Sequence, residues 1–122
     1  MRTHRLGSLT SSVLAHLHAQ AHPHELLGLI AYTIEEKCEE TEVPTIYVWE
    51  LQVDSERRRR GLGTRMLLEV MEEGRAAGVV CILLTVFKNN KKAQAFYRKM
   101  RFSPTLLADP KDPFVIWAHY LA

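Results

Sequence analysis

The chain has 122 residues, 47% of them apolar, a length that suits one domain with a modest core. Sixteen basic against 14 acidic residues leave a formal charge of +2, too small a global field to mark a nucleic-acid binder. No apolar stretch reaches the length of a membrane span. The two cysteines, Cys38 and Cys81, are too few for a disulfide scaffold, and Cys81 falls in an apolar run that reads as core. These features fit a protein of a reducing compartment that binds neither membrane nor nucleic acid directly; a monomer is expected, although nothing in the composition fixes the oligomeric state. Charge is uneven along the chain: basic residues gather at Arg57 to Arg60 and Lys88 to Lys92, acidic ones at Glu35, Glu36, Glu39, Glu40 and Glu42.

Residues 1–24 hold five of the six histidines and read as a leader that ends at a proline break. Val13, Leu14 and Leu17 recur at helical spacing, so a short helix is expected over Ser11 to Gln20. The histidines have no accompanying cysteine or carboxylate cluster and are taken as surface groups, with no metal expected. Residues 25–122 form the expected domain. Leu26 to Ile34 and Val43 to Val53 read as strands, and the polar stretch Glu35 to Glu42 between them suits an antiparallel hairpin. From Gly61 the spacing of Leu62, Met66, Leu67, Val70 and Met71 predicts a helix ending near Gly78. Val79 to Phe87 is almost unbroken apolar, as in a strand buried on both faces, so the strand-helix-strand unit implies a parallel crossover. Asn90 suits the cap of a second helix with Ala93, Phe96, Tyr97 and Met100 inward and Pro104 as its stop, and Phe114 to Leu121 reads as the last strand. The fold class is α/β, a mixed sheet in strand-strand-helix-strand-helix-strand order.

Between the second strand and the first helix lies Arg58-Arg59-Arg60-Gly61-Leu62-Gly63-Thr64. Two glycines at a helix start let backbone N–H groups face an anion, and the flanking arginines add charge. By itself the run reads equally as a pyrophosphate turn, a nuclear-targeting stretch or a solvated face. The spacing fits neither the nucleoside-triphosphate loop nor the dinucleotide fingerprint, which require other glycine patterns.

Arg58 to Gly63 resembles the R/Q-x-x-G-x-G/A signature of the Gcn5-related N-acetyltransferase (GNAT) superfamily, which shares the element order above. Together with Tyr47-Val48-Trp49-Glu50-Leu51-Gln52-Val53 and Leu84-Thr85-Val86-Phe87-Lys88-Asn89-Asn90, it resembles the NatD-like histone amino-terminal acetyltransferases. The resemblance implies acetyl-coenzyme A as acetyl donor, held by Leu51, Gln52 and Val53, by Arg58, Arg59, Arg60, Gly61, Leu62, Gly63 and Thr64, and by Asn90, which serves equally as a helix cap. It implies Glu50 as general base, in a strand whose apolar neighbours favour a neutral carboxyl. Tyr97 is the matching position for a proton donor, although a packed aromatic is the simpler reading. Glu36, Tyr47, Trp49, Thr85 and Phe114 fall at substrate positions, and the implied acceptor is the amino terminus of histone H-four and H-two-A tails, Ser-Gly-Arg-Gly, in nucleus and cytoplasm. NatD-like proteins carry a longer amino-terminal region, so the chain is expected to be truncated there. Trp49 and Phe114 replace tyrosines, and Cys38 stands near an expected acid. An acetyltransferase of another amine, or a silent cofactor- or histone-binding module, remains open.

Overall fold

The computed structural model describes residues 12–20, 26–39, 41–53 and 61–121. Among these described residues six strands and two helices follow in the order β1 (Ser12–Gln20), β2 (Leu26–Glu35), β3 (Thr45–Val53), α1 (Leu62–Ala76), β4 (Cys81–Phe87), α2 (Lys91–Lys99), β5 (Ser103–Pro104) and β6 (Phe114–Tyr120). They form one mixed sheet in the order β1-β2-β3-β4-β6-β5, in which only β3 and β4 run parallel. No helix among the described residues is long and apolar enough to cross a membrane.

The α/β class and the mixed sheet are as the sequence predicts, and two strands are added to the expected order. Ser12–Gln20 is not a helix but a strand, paired antiparallel with β2 from Ser12↔Glu35 onward. Val13, Ala15, Leu17 and Ala19 alternate with polar His16, His18 and Gln20, and this two-residue period, backed by the neighbouring strand, prevails over the weaker helical spacing. β5 is two residues long, too short to leave a periodic signal.

Both helices share one apolar layer with one face of the sheet. Ile30 and Tyr32 of β2, Ile46 and Val48 of β3, and Ile82, Leu84 and Val86 of β4 meet Met66, Leu67 and Val70 of α1, with Phe96 and Tyr97 of α2 packed against them. α1 comes close to the sheet at Gly28, where a Cβ would stand 2.9 Å from the Met66 methyl and 3.0 Å from Leu62. Tyr32 donates a hydrogen bond to Glu73 of α1 at 2.5 Å. The opposite face carries a smaller buried cluster of Cys38, Tyr47, Cys81, Leu83 and Ala118, and neither cysteine is in a disulfide.

Each helix ends on a left-handed residue. After α1 it is Gly78 (φ 78), with Val79 N–H donating to Gly74 O. After α2 it is Arg101 (φ 73), with Phe102 N–H donating to Tyr97 O and the two rings 5.7 Å apart. The stop of α2 is therefore this closed turn at Arg101, and Pro104 lies beyond it in β5.

Candidate active site

The sheet opens at its centre. β3 and β4 pair from Thr45↔Cys81 to Val48↔Leu84, yet β3 runs on to Val53 and β4 to Phe87. Each continues along its outer neighbour: β3 stays on β2 to Val53↔Gly28, and β4 stays on β6 to Phe87↔Phe114. The two strands therefore part after Val48 and Leu84. Among the described residues, the β3 edge that faces β4 has no strand partner from Glu50 to Val53, which leaves its N–H and C=O groups open to an extended ligand.

A bulge in β3 determines what faces this opening. Ala31 pairs with Glu50 and Tyr32 with Val48, so Trp49 is an extra residue against β2. Strict alternation would place Glu50 on the helix face with Ile46 and Val48; the extra residue reverses the order beyond it. Leu51 and Val53 thus join the helix-side core, while Glu50 and Gln52 point to the other face. Gln52 Nε2 donates to Glu50 Oε2 at 2.5 Å, which fits two side chains on one face. Glu50 is exposed in the mouth, so the apolar enclosure expected from its sequence neighbours is absent: the bulge turns the carboxylate away from them.

Around Glu50 the open face gathers polar and aromatic groups. Tyr47 and Thr85 share a hydroxyl–hydroxyl hydrogen bond of 2.5 Å across the point where the strands part. Trp49 lies 4.5 Å from the Tyr47 ring and donates its Nε1 proton to Thr33 Oγ1 at 2.9 Å. Phe87 and Phe114 meet edge to face at 6.4 Å on the far lip, both on the side of Thr85. Tyr47, Trp49, Thr85 and Phe114 were expected at a substrate groove, and the fold brings them to one face. Thr33 and Phe87 join them without being expected, while Gln52, expected to hold the cofactor, also turns its side chain to Glu50 on this face. For Phe87 a signal existed, since it lies two residues from the expected Thr85 on the same strand.

Glu36 does not join this group. The register sets Glu35 opposite Thr45, five residues before Glu50, so Glu36 and its hairpin lie about 15 Å down the strands from the mouth. Cys38, which stands near an expected acid, is fully buried in the cluster with Tyr47.

On the helix side, α1 begins at Gly61 (φ 72) with no side-chain cap and no acidic residue in its first turn. The opening amides, at Leu62, Gly63 and Thr64, thus have no side-chain acceptor from the capping position. Among the described residues, nothing beyond its chain neighbours lies within 4 Å of the place a Gly61 Cβ would occupy, whereas Gly63 is set between Phe96 and Val53, each 3.6 Å from its virtual Cβ. Arg58, Arg59 and Arg60 fall outside the described residues. Asn90 caps α2 through Ala93 N–H, at 3.1 Å, as expected. Tyr97 packs between Phe96 and Phe102 on the helix side of the sheet, away from the face that carries Glu50. Burial raises its hydroxyl pKa above the ordinary tyrosine value, so it is protonated at neutral pH.

A central parallel pair that parts over an uncapped, glycine-flanked helix start defines a sheet built to admit an extended, anion-bearing ligand. The sequence profile of the Acetyltransferase (GNAT) family matches residues 10–102, and the chain belongs to that family. Over 76 residues it is 28% identical to an L-2,4-diaminobutyric acid acetyltransferase of Marinococcus halophilus, a match covering 62% of this chain and 42% of that relative. Two solved structures are similar. Arabidopsis thaliana Naa50 in complex with the bisubstrate analogue CoA-Ac-MVNAL is 26% identical with a TM-score of 0.63, covering 77% of this chain and 65% of that one. PaiA N-acetyltransferase from Thermoplasma acidophilum in complex with coenzyme A is 20% identical with a TM-score of 0.69, covering 88% and 60%. The chain thus spans less than two thirds of the length of each of these relatives.

Proposed function

We propose that the protein transfers acetyl from acetyl-coenzyme A to a protein amino terminus of the Ser-Gly-Arg-Gly type found on histone tails. The observation that carries this reading is the parted β3–β4 pair, which has an unpaired β3 edge for an extended donor and, through the Trp49 bulge, a carboxylate on the opposite face for the acceptor. The residues fit the donor. Glu50 to Val53 offer backbone groups to a pantetheine arm, the first turn of α1 at Gly61 to Thr64 offers amides and a positive helix end to a pyrophosphate, and the open space at Gly61 admits its approach. Acetyl-coenzyme A supplies an acyl group already activated as a thioester.

This chain's own residues handle the amine and its protons. Tyr47, Trp49, Phe87 and Phe114 line a groove for a peptide backbone, with the Thr85 hydroxyl fixed by Tyr47. Glu50, oriented by Gln52, takes the ammonium proton of the incoming amino terminus, directly or through one water. The demand is small: an α-amino group with a pKa of about 8 is already uncharged in roughly a tenth of molecules at neutral pH, while a lysine near 10.4 is far scarcer in that form. Tyr97, kept protonated by burial, supplies the proton that the departing sulfur takes. The acidic hairpin lies too far away to touch the first residue and acts as a field that draws an arginine-bearing tail.

A second reading, acetylation of a small diamino acid, is supported by the diaminobutyrate acetyltransferase relative. One assay separates the two: mass spectrometry of Ser-Gly-Arg-Gly peptide, lysine-containing peptide and L-2,4-diaminobutyrate incubated with acetyl-coenzyme A and the protein. Acetylation of the peptide α-amine above both others is the expected result. Preference for diaminobutyrate establishes the second reading, and tight cofactor binding with no turnover on any acceptor defeats both.

A further inference from the structure

A second concavity lies over β4, β6 and β5, whereas α1 contacts β2 and β3. Val86, Val115 and Trp117 form its apolar floor and Lys88, Lys91 and Arg98 its rim, around a volume of about 280 Å³. Lys91 and Arg98 lie on one face of α2, with Gln94 between them at three- and four-residue spacing. Among the described residues none of the three cations forms an ion pair. Lys88 is anchored by donating to Pro110 O at 2.7 Å, and Asp109, in the same loop, accepts from the Lys111 amide.

Two features make this charge more than a solvated helix face. α2 carries Lys91 and Lys92 and no acid in its first turn, so cations crowd the positive end of the helix dipole, an arrangement that disfavours the helix and that an anion relieves. Arg98 is held 5.0 Å over the Trp117 ring, which keeps its guanidinium in place beside the apolar floor. From Lys91 to Arg98 is seven residues, about 10 Å along a helix. That spacing matches charges along an extended chain better than the oxygens of one phosphate.

We infer that this groove is a docking site for an acidic linear segment of a partner protein, its glutamates or aspartates against Lys88, Lys91 and Arg98 and an apolar side chain on the Val86–Val115–Trp117 floor. The site is separate from the opening between β3 and β4, and the inference stands whether or not the acetyl-transfer reading holds.

The test is fluorescence anisotropy of the full chain with a fluorescein-labelled peptide of about eight residues, glutamates flanking leucines, against a control with lysines in place of the glutamates. Saturable binding of the acidic peptide alone, weakened by added salt, is expected. Lys91→Glu is expected to weaken it about tenfold, and Arg98→Gln by several-fold. Because Lys91→Glu places a carboxylate at the start of α2, its melting temperature should hold or rise, which separates lost binding from lost folding. The inference is overturned if the acidic peptide binds no better than the control, or if Lys91→Glu binds it equally well. It is likewise overturned if inorganic phosphate or a single-stranded RNA binds this groove more tightly than the peptide.

Discussion

The two ends of the β3–β4 pair are built from neighbouring stretches of the same strands, yet they do opposite work. At the closed end, Thr45 to Val48 against Cys81 to Leu84, every residue is buried and the parallel ladder is complete. At the open end, Trp49 to Val53 against Thr85 to Phe87, the ladder is absent, and Trp49, Glu50, Gln52, Thr85 and Phe87 reach solvent. Backbone pairing and side-chain burial are lost together within one residue of the bulge. Stability is thus concentrated below Val48 and the proposed chemistry lies above it, so substitutions at the two ends should separate in kind.

The largest effect is expected at the open end. Glu50→Gln should lower kcat/KM on the Ser-Gly-Arg-Gly peptide by roughly 10²–10⁴-fold with an unchanged melting temperature, because an exposed carboxylate contributes little to folding. Equal rates would remove Glu50 from the mechanism. At the closed end the pattern should invert: Ile46→Ala, at a position with 0% exposure, should cost about 2–5 kcal/mol in urea unfolding while the surviving folded fraction keeps its KM. A large KM change in that variant would show that the two ends are mechanically coupled.

The closed end should also be the source of alkaline weakness. Burial, reinforced by the neighbouring Cys38, raises the Cys81 thiol from 9.0 to about 11. A group whose folded pKa is raised stabilises the fold in full below its unfolded pKa and loses that contribution as pH rises through the folded value. Unfolding free energy should therefore fall between pH 9 and about 11, and Cys81→Ala should flatten this slope. Tyr32, raised by burial and by Glu73, extends the loss to still higher pH. The smallest effect is expected where the ends meet. Thr85→Val, which removes one hydrogen bond to the Tyr47 hydroxyl, should cost about 1 kcal/mol in stability. Measured alongside, a rise in peptide KM would place that hydrogen bond on the functional side of the boundary.

Much of this architecture was legible because the signals were local. Helical spacing located α1 and α2, Asn90 announced its cap, and the apolar run at Val79 to Phe87 foretold a buried strand. What escaped depended on partners. β1 carries both a helical and a two-residue period, and only pairing with β2 decides between them. The Trp49 bulge is a mismatch of register between two strands, so neither strand reveals it alone, and with it went the true setting of Glu50. Glu36 shows a related effect: its closeness in sequence to β3 becomes distance from the mouth because the hairpin lies at the other end of the strand. Arg101 closes α2 in a conformation usually given to glycine, so the helix end was assigned to the more conspicuous Pro104.

The unpaired edge of β3 has a consequence for handling the protein. Edges normally lie at the rim of a sheet, where proteins shield them by shortness, charge or a covering loop. Here, among the described residues, one lies inside the sheet, and it is a template for any extended chain, including that of a second copy. An occupant of the opening would mask that template as well as stabilise the fold by mass action. Coenzyme A should therefore act as a protective agent, suppressing aggregation on heating at concentrations that scale with its affinity.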